Sequence, residues 1–370
     1  MKVVLLSSAL SIHTVRWANA LSDAGLDVTV ISQHPQIESM NKSVKVHLFP
    51  FRGVIGYFTM VPAVKKLIEK IKPDIINAHY ASGYGTTARL VNYRPWLLSV
   101  WGSDVYDFPY LSPIHKRLIK GNLLAADAIA STSHCMAVQT HSLTDTLGKI
   151  AITPFGVDTA YYKKNSYPLV VNKKNDEEFV IGTVKAMATK YGIDTLIQSF
   201  SILKNNLSVD YPNIAFNLRL RLIGDGPQTY ELKQLATKLG VVDSVDFVGR
   251  INHLDVPKEL AKLDVYVALS RLNSESFGVA IIEASAAGRP VIVSNVGGLP
   301  EVVLNGITGI IVPKEDPQSA ANAIKELLID GELRQKLAEA GQLHVQDNYS
   351  WNSCVEIMIE TYKKTIRDHN

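Results

Sequence analysis

Short apolar runs rich in β-branched residues alternate with longer amphipathic stretches along most of the chain. Val3–Ser8, Asp27–Ser32, Val44–Phe51, Asp74–Tyr80, Trp96–Gly102, Ala128–Ser133 and Ile152–Phe155 have the length and composition of strands. The first gap carries Ile12, Val15, Ala18 and Leu21 at helical spacing and closes on Gly25, a left-handed helix cap. The alternation lapses between Gly156 and Glu178 in a polar run ending Lys173-Lys174-Asn175-Asp176-Glu177-Glu178. It restarts with Phe179–Val184, Asn217–Gly226, Val245–Gly249, Asp264–Ser270, Val291–Asn295 and Gly309–Pro313. A helix is expected over 227–240 with Pro227 in its first turn. Three more are expected over 316–329, 331–345 and 351–367. Strand–helix alternation of this kind predicts a mainly parallel sheet covered on both faces. The expectation is therefore an α/β protein of two Rossmann-like, doubly wound domains, 1–157 and 158–350, with ligands bound in an interdomain cleft. The second sheet does not need all of the closing helices, so the last one, about 351–370, is expected to pack back on the first domain.

Composition supports this picture and narrows it. With 370 residues, 46% of them hydrophobic and 20% charged, there is enough apolar material for two cores, and bulk disorder is excluded. The opening run Val3–Leu6 is too short for a signal peptide and reads as a strand. No stretch approaches the ~18–20 apolar residues of a membrane-spanning helix. Cys135 and Cys354, the only cysteines, cannot build a disulfide framework, which favours a reducing cytoplasm. Charge is uneven: lysines and arginines less aspartates and glutamates give 15 − 9 = +6 over residues 1–156 and 23 − 26 = −3 over 157–370. A basic first half suits an anionic partner, such as phospholipid or a diphosphate-bearing acceptor.

The segment Ser270–Gly298, SRLNSESFGVAIIEASAAGRPVIVSNVGG, carries the most chemistry. A strand ends, a loop follows, and a helix is expected to begin near Phe277, at the carboxyl end of a parallel strand where open α/β sheets bind ligands. Amides of Gly278, Val279 and Ala280 at that helix start would suit a diphosphate. An ordinary helix packed through Ala280, Ala284 and Ala287 explains the same pattern. Glu275 and Glu283, with seven residues between them, bracket the helix start, and carboxylates so placed suit paired sugar or ribose hydroxyls. A solvated acidic face is the plainer reading of that pair.

The E-x7-E spacing, Glu283-Ala284 with Gly288 and Pro290-Val291, Gly297-Gly298-Pro300-Glu301, and the Gly306 to Pro313 run together resemble the family 4 retaining glycosyltransferases of GT-B fold. In the same order come Ile223-Gly224-Asp225-Gly226-Pro227, similar to that family's GDGP, Phe247-Val248-Gly249, and Pro154-Phe155-Gly156-Val157-Asp158 at the domain junction. The resemblance implies a glycosyltransferase, of the kind that builds cell-surface polysaccharide such as O-antigen. It would move a sugar from a nucleotide-diphosphate sugar, UDP-linked by preference, to a hydroxyl of a glycan or polyprenyl-diphosphate-linked acceptor. Glu283 would hold the ribose and Glu275 the transferring sugar or its acceptor. Residues Ser276, Phe277, Gly278, Val279 and Ala280, with Gly224 and Arg250, would bind the donor. The family's basic pair matches Lys185 and Lys190 in GTVKAMATKYG, with Lys in place of the usual Arg and Tyr191 set before Gly192. Two solvated lysines are the alternative.

The first half departs from the family. Ser7-Ser8-Ala9 stands for a Gly-rich loop, and Trp101-Gly102-Ser103-Asp104 for an H-G-x-D segment. Asp104 is the expected sugar-hydroxyl ligand there, grouped with Glu275, Lys185 and Lys190 as catalytic. His13, His79, Trp101 and His134 are acceptor-side candidates. No D-x-D occurs, so no metal and no cofactor are expected, the lysines and the helix dipole supplying the positive charge. Retention is expected by same-face attack, with double displacement through Glu275 as the rival route. Segment Pro113–Asn122, PIHKRLIKGN, mixes apolar and basic residues and would suit the inner face of an anionic membrane, although a plain basic surface helix fits as well. Nucleic acid is not expected as a partner. The rivals are a sugar-nucleotide epimerase and a non-catalytic sugar-nucleotide binder. A dinucleotide-dependent dehydrogenase is disfavoured because SSALSIHT, not G-x-G-x-x-G, follows the first strand.

Overall fold

A computed structural model describes residues 1–144, 146–166, 168–169, 173–174 and 176–369. The chain divides into two compact units, Met1–Phe155 with Trp351–Asn370, and Gly156–Ser350. Val157 belongs to the second unit rather than closing the first, because its N–H donates to Tyr349 O at 2.8 Å and it bridges Ser350.

The first unit holds strands β1 (Lys2–Leu6), β2 (Asp27–Ser32), β3 (Lys45–Leu48), β4 (Ile75–His79), β5 (Trp96–Val100), β6 (Ala128–Ser131) and β7 (Ala151–Ile152). They form one parallel sheet in the order β3-β2-β1-β4-β5-β6-β7. Helices α1 (Ile12–Asp23), α2 (Gly53–Thr59), α3 (Val61–Ile71), α4 (Gly83–Val91), α5 (Ser103–Tyr106), α6 (Pro113–Ala125) and α7 (His134–His141) connect them. Strands β1, β4 and β5 are almost wholly buried, as a sheet covered on both faces demands.

The second unit holds β8 (Phe179–Val184), β9 (Leu218–Ile223), β10 (Val245–Gly249), β11 (Val265–Ala268), β12 (Val291–Ser294) and β13 (Gly309–Val312), parallel in the order β10-β9-β8-β11-β12-β13. Its helices are α8 (Thr159–Lys164), α9 (Ile193–Asp210), α10 (Pro212–Phe216), α11 (Thr229–Lys238), α12 (Val256–Leu260), α13 (Val279–Ala286), α14 (Leu299–Val302), α15 (Pro317–Ile329) and α16 (Gly331–Tyr349). Two helix starts differ from expectation. Pro227 lies outside α11, because Gln228 N–H is engaged with Met187 O at 2.9 Å in a loop contact. Helix α13 starts at Val279, not Phe277, because Gly278 takes the left-handed φ of 98° that ends the preceding loop.

The last helix, α17 (Trp351–His369), packs within the first unit. Its buried residues Cys354, Val355, Met358, Tyr362 and Thr365 form one helical stripe, and Trp351 meets Trp17 edge-on at 5.1 Å. This contact explains the one amide inside β4's apolar run. Asn77 donates from Nδ2 to the Tyr362 hydroxyl at 2.9 Å and accepts from Ser99 Oγ at 2.9 Å, so each buried polar atom is satisfied.

Candidate active site

In the second sheet the strand order reverses between β8 and β11, and the loops that leave these two strands lie side by side at their carboxyl ends. Lys185 follows β8 directly; Glu275 follows β11 by seven residues. The lysine Nζ donates to Glu275 Oε1 at 2.7 Å, and each side chain is only 9% exposed. Lys190 Nζ donates to Ser274 O at 2.7 Å and stands 3.9 Å from Glu275 Oε2. Both ammonium groups lie over the Tyr191 ring, at 5.0 and 5.6 Å from its centroid, a cation–π arrangement that further stabilises them. Burial alone would depress the Lys185 pKa. The Glu275 carboxylate, with Tyr266 and Tyr191, outweighs burial and raises it, so Lys185 is a fixed cation.

Two glycine motifs hold this pair in place. Gly224 has φ 135°, and a Cβ there would sit 2.0 Å from Lys185 O, so only glycine lets the loop after β9 back onto the lysine. Gly297 has φ 53°, and its Cβ would sit 2.3 Å from Glu275 O, while Gly298 N–H donates to the same carbonyl at 3.0 Å. Arg271 N–H donates to Lys190 O at 2.9 Å and ties the two loops together. The geometry thus makes Gly224 a support for Lys185.

Ser276, Phe277 and Gly278 are buried in the turn into α13, and Val279 and Ala280 are half-exposed at its start. The first amides of a helix have no intrahelical acceptor and face the positive end of its dipole. One turn further on, Glu283 is 5% exposed, with Oε1 at 3.6 Å from His253 Nε2. His253 was not anticipated, since it lies thirty residues upstream of Glu283 with no local pattern to mark it. Arg250 is exposed near Asp225, and it helps to lower that carboxyl group's pKa, after the Thr229 hydroxyl and the Gly226 amide. Among the described residues, no group of three or more His, Cys, Asp or Glu side chains is placed to hold a metal ion.

The first unit gathers a second cluster at the carboxyl end of its sheet. His13 stacks on Phe155 at 4.4 Å, Trp101 meets Phe155 at 5.4 Å, and His79 lies 4.1 Å from Trp101. His134 is exposed at the start of α7. Two expectations change here. Asp104 is 1% exposed, and its oxygens accept the amides of Ala81 at 2.7 Å, Gly102 at 2.9 Å and Trp101 at 3.2 Å. Burial raises its pKa and these amides oppose the rise; the residue clamps two loops and is not presented to a sugar hydroxyl. His79 is 1% exposed and bonded through Nδ1 to Ser7 Oγ at 2.9 Å, so it is a core residue and cannot face an acceptor.

His79 makes stability depend on pH. Burial, and then His13, lower its pKa to about 3, from 6.5 in an unfolded chain, so between those values the unfolded chain binds the extra proton. The His79 contribution is complete above pH 6.5 and is lost as pH falls towards 3, by at most about 1.4 kcal/mol per unit. Thermal melts at pH 7 and pH 5 are expected to show a drop that is smaller in His79→Gln. Equal drops would reject the assignment.

Residues 170–344 match the family described as glycosyl transferases group 1, and residues 2–133 match glycosyl transferase 4-like. The chain is 26% identical over 367 residues to an uncharacterized glycosyltransferase of Methanocaldococcus jannaschii, covering 96% of this chain and 94% of that one. Among solved structures, sucrose-phosphate synthase of Thermosynechococcus elongatus superposes with TM-score 0.82 at 22% identity, covering 98% of both chains. Anabaena HepE in complex with UDP and glucose superposes at 0.74 with 19% identity, over 98% of this chain and 99% of that one. Two Rossmann-like parallel-sheet units of this kind define the GT-B class. The chain belongs to the family 4-type glycosyltransferases of that fold.

Proposed function

We propose that the protein transfers a glycosyl group from a UDP-sugar to a hydroxyl of a lipid-diphosphate-linked or glycan acceptor, with retention and without a metal, in cell-surface polysaccharide synthesis at the cytoplasmic side of the membrane. The observation that carries this reading is the Lys185–Glu275–Lys190 cluster at the β8/β11 reversal, beside the start of α13 and Glu283. Lys185, Lys190 and the first amides of α13 would bind the diphosphate and stabilise the charge it gains as the glycosidic bond breaks. Glu283 would accept the ribose hydroxyls, oriented by His253. Glu275 would meet the sugar. Its pairing with Lys185 at 2.7 Å makes it a weak nucleophile, which favours same-face attack over a covalent intermediate. The acceptor proton would then pass to the leaving phosphate. The UDP preference takes support from Anabaena HepE, of like fold, crystallised with UDP and glucose.

The test is nucleotide release from a panel of UDP-, GDP- and ADP-sugars in EDTA, with membrane extract as acceptor. Release from one donor, surviving EDTA, is the expected result. Loss of release in EDTA would overturn the metal-free mechanism, and no release from any donor would overturn transfer. Turnover without acceptor into an isomerised donor would identify an epimerase.

A further inference from the structure

Helix α2 buries little of its apolar surface. Val54 is 75% exposed, Ile55 73% and Phe58 45%, three large apolar side chains on seven residues. Only Gly56 is buried, while Tyr57 lies against Gly83 and meets Tyr84 edge-on at 5.2 Å on α4. Helix α6 packs on the same helix α4, where Asn122 Nδ2 donates to Ala81 O and Thr86 Oγ1, both at 2.8 Å. At and just before its start, α6 exposes Tyr110 (59%), Leu111 (67%) and Ile114 (79%). Six large apolar side chains therefore stand in water on two elements that flank one helix.

Charge says what covers them. Residues 52–72 carry Arg52, Lys65, Lys66, Lys70 and Lys72 against Glu69, and residues 110–125 carry Lys116, Arg117 and Lys120 with no acidic residue. Together these segments hold 8 − 1 = +7, whereas the remaining chain holds 30 − 34 = −4. All eight basic side chains are exposed. Exposed apolar side chains within basic segments match an anionic lipid surface, where the hydrocarbon boundary takes the former and the headgroups the latter. A net +7 on these two segments, in a chain of net +3, favours an anionic surface over a neutral apolar partner. Among the described residues no helix is long and apolar enough to cross a membrane, so attachment here lies in the plane of the bilayer.

We infer that α2 and the Tyr110–Lys120 segment form one docking surface for an anionic membrane, with Val54, Ile55 and Phe58 inserted as a wedge. This deepens the proposed function by supplying the lipid phase of its acceptor, and it is testable whether or not transfer occurs. Full-length protein is sedimented with phosphatidylcholine vesicles, with and without phosphatidylglycerol. Wild type is expected to bind the anionic vesicles only. The triple substitution Val54→Ser/Ile55→Ser/Phe58→Ser is expected to lower the partition coefficient about ten-fold or more. Lys116→Gln/Arg117→Gln/Lys120→Gln should weaken binding and flatten its salt dependence. Binding of the nucleotide-sugar donor, measured without lipid, should be unchanged in both variants. The inference is overturned if wild type ignores anionic vesicles, if the triple variant binds as wild type does, or if the triple variant instead abolishes a dimer seen by sedimentation without lipid.

Discussion

Replacing Lys185 with methionine is expected to cost about 3–5 kcal/mol of folding stability, because it strands the Glu275 carboxylate in a site where water reaches only its edge. The remaining cation, Lys190, stands 3.9 Å from Glu275 Oε2 and is tied to Ser274 O, so it compensates only in part. The effect is a desolvation effect, and it should therefore vanish when the carboxylate is neutralised. The double variant Lys185→Met/Glu275→Gln is expected to recover most of the loss in urea unfolding while remaining inactive. If Lys185→Met unfolds at the wild-type urea midpoint, the pair is not buried in solution as it is in the structure.

Glu275→Ala is expected to lower donor turnover by about 10²–10³-fold, the usual loss when one pre-placed electrostatic group leaves a reaction centre. Glu283→Ala should act differently. It removes a hydrogen-bond acceptor from the proposed ribose site, so donor KM is expected to rise about 10–100-fold, as for one charge-assisted hydrogen bond, with kcat nearly kept. The two glutamates sit at the same helix start, and the split between kcat and KM is what separates their roles. An effect of Glu275→Ala confined to KM would place that residue in ground-state binding, and unchanged kinetics in Glu283→Ala would remove it from the donor site.

Much of the fold was legible because parallel strands buried on both faces must be apolar along their whole length. Strands β2, β8 and β10 begin and end where the residue pattern places them. The others end one to three residues sooner, and β1 and β7 also begin one residue earlier; most residues lost at the ends, such as Ser7-Ser8, Thr132-Ser133 and Gly224-Asp225-Gly226, are polar or glycine and belong to the loops that leave the sheet. The motif glycines were legible as well, since close backbone approach leaves no other residue type. What they approach was not: Gly224 backs onto Lys185 and Gly297 onto Glu275, contacts between segments far apart in the chain.

The chain's residue order by itself determined two αβ alternations with a break between them, a glycine- and glutamate-bearing segment after β11, and a basic first half. These are local properties, written in periodicity and composition. Tertiary structure alone decided which polar residues face the site. Asp104 and His79 carry the residue types of ligands, but their neighbours fill every polar atom or bury it, and they became supports. It also paired Lys185 with Glu275 across ninety residues and brought His253 to Glu283. Burial and distance belong to the packed chain, and no spacing rule reaches that far.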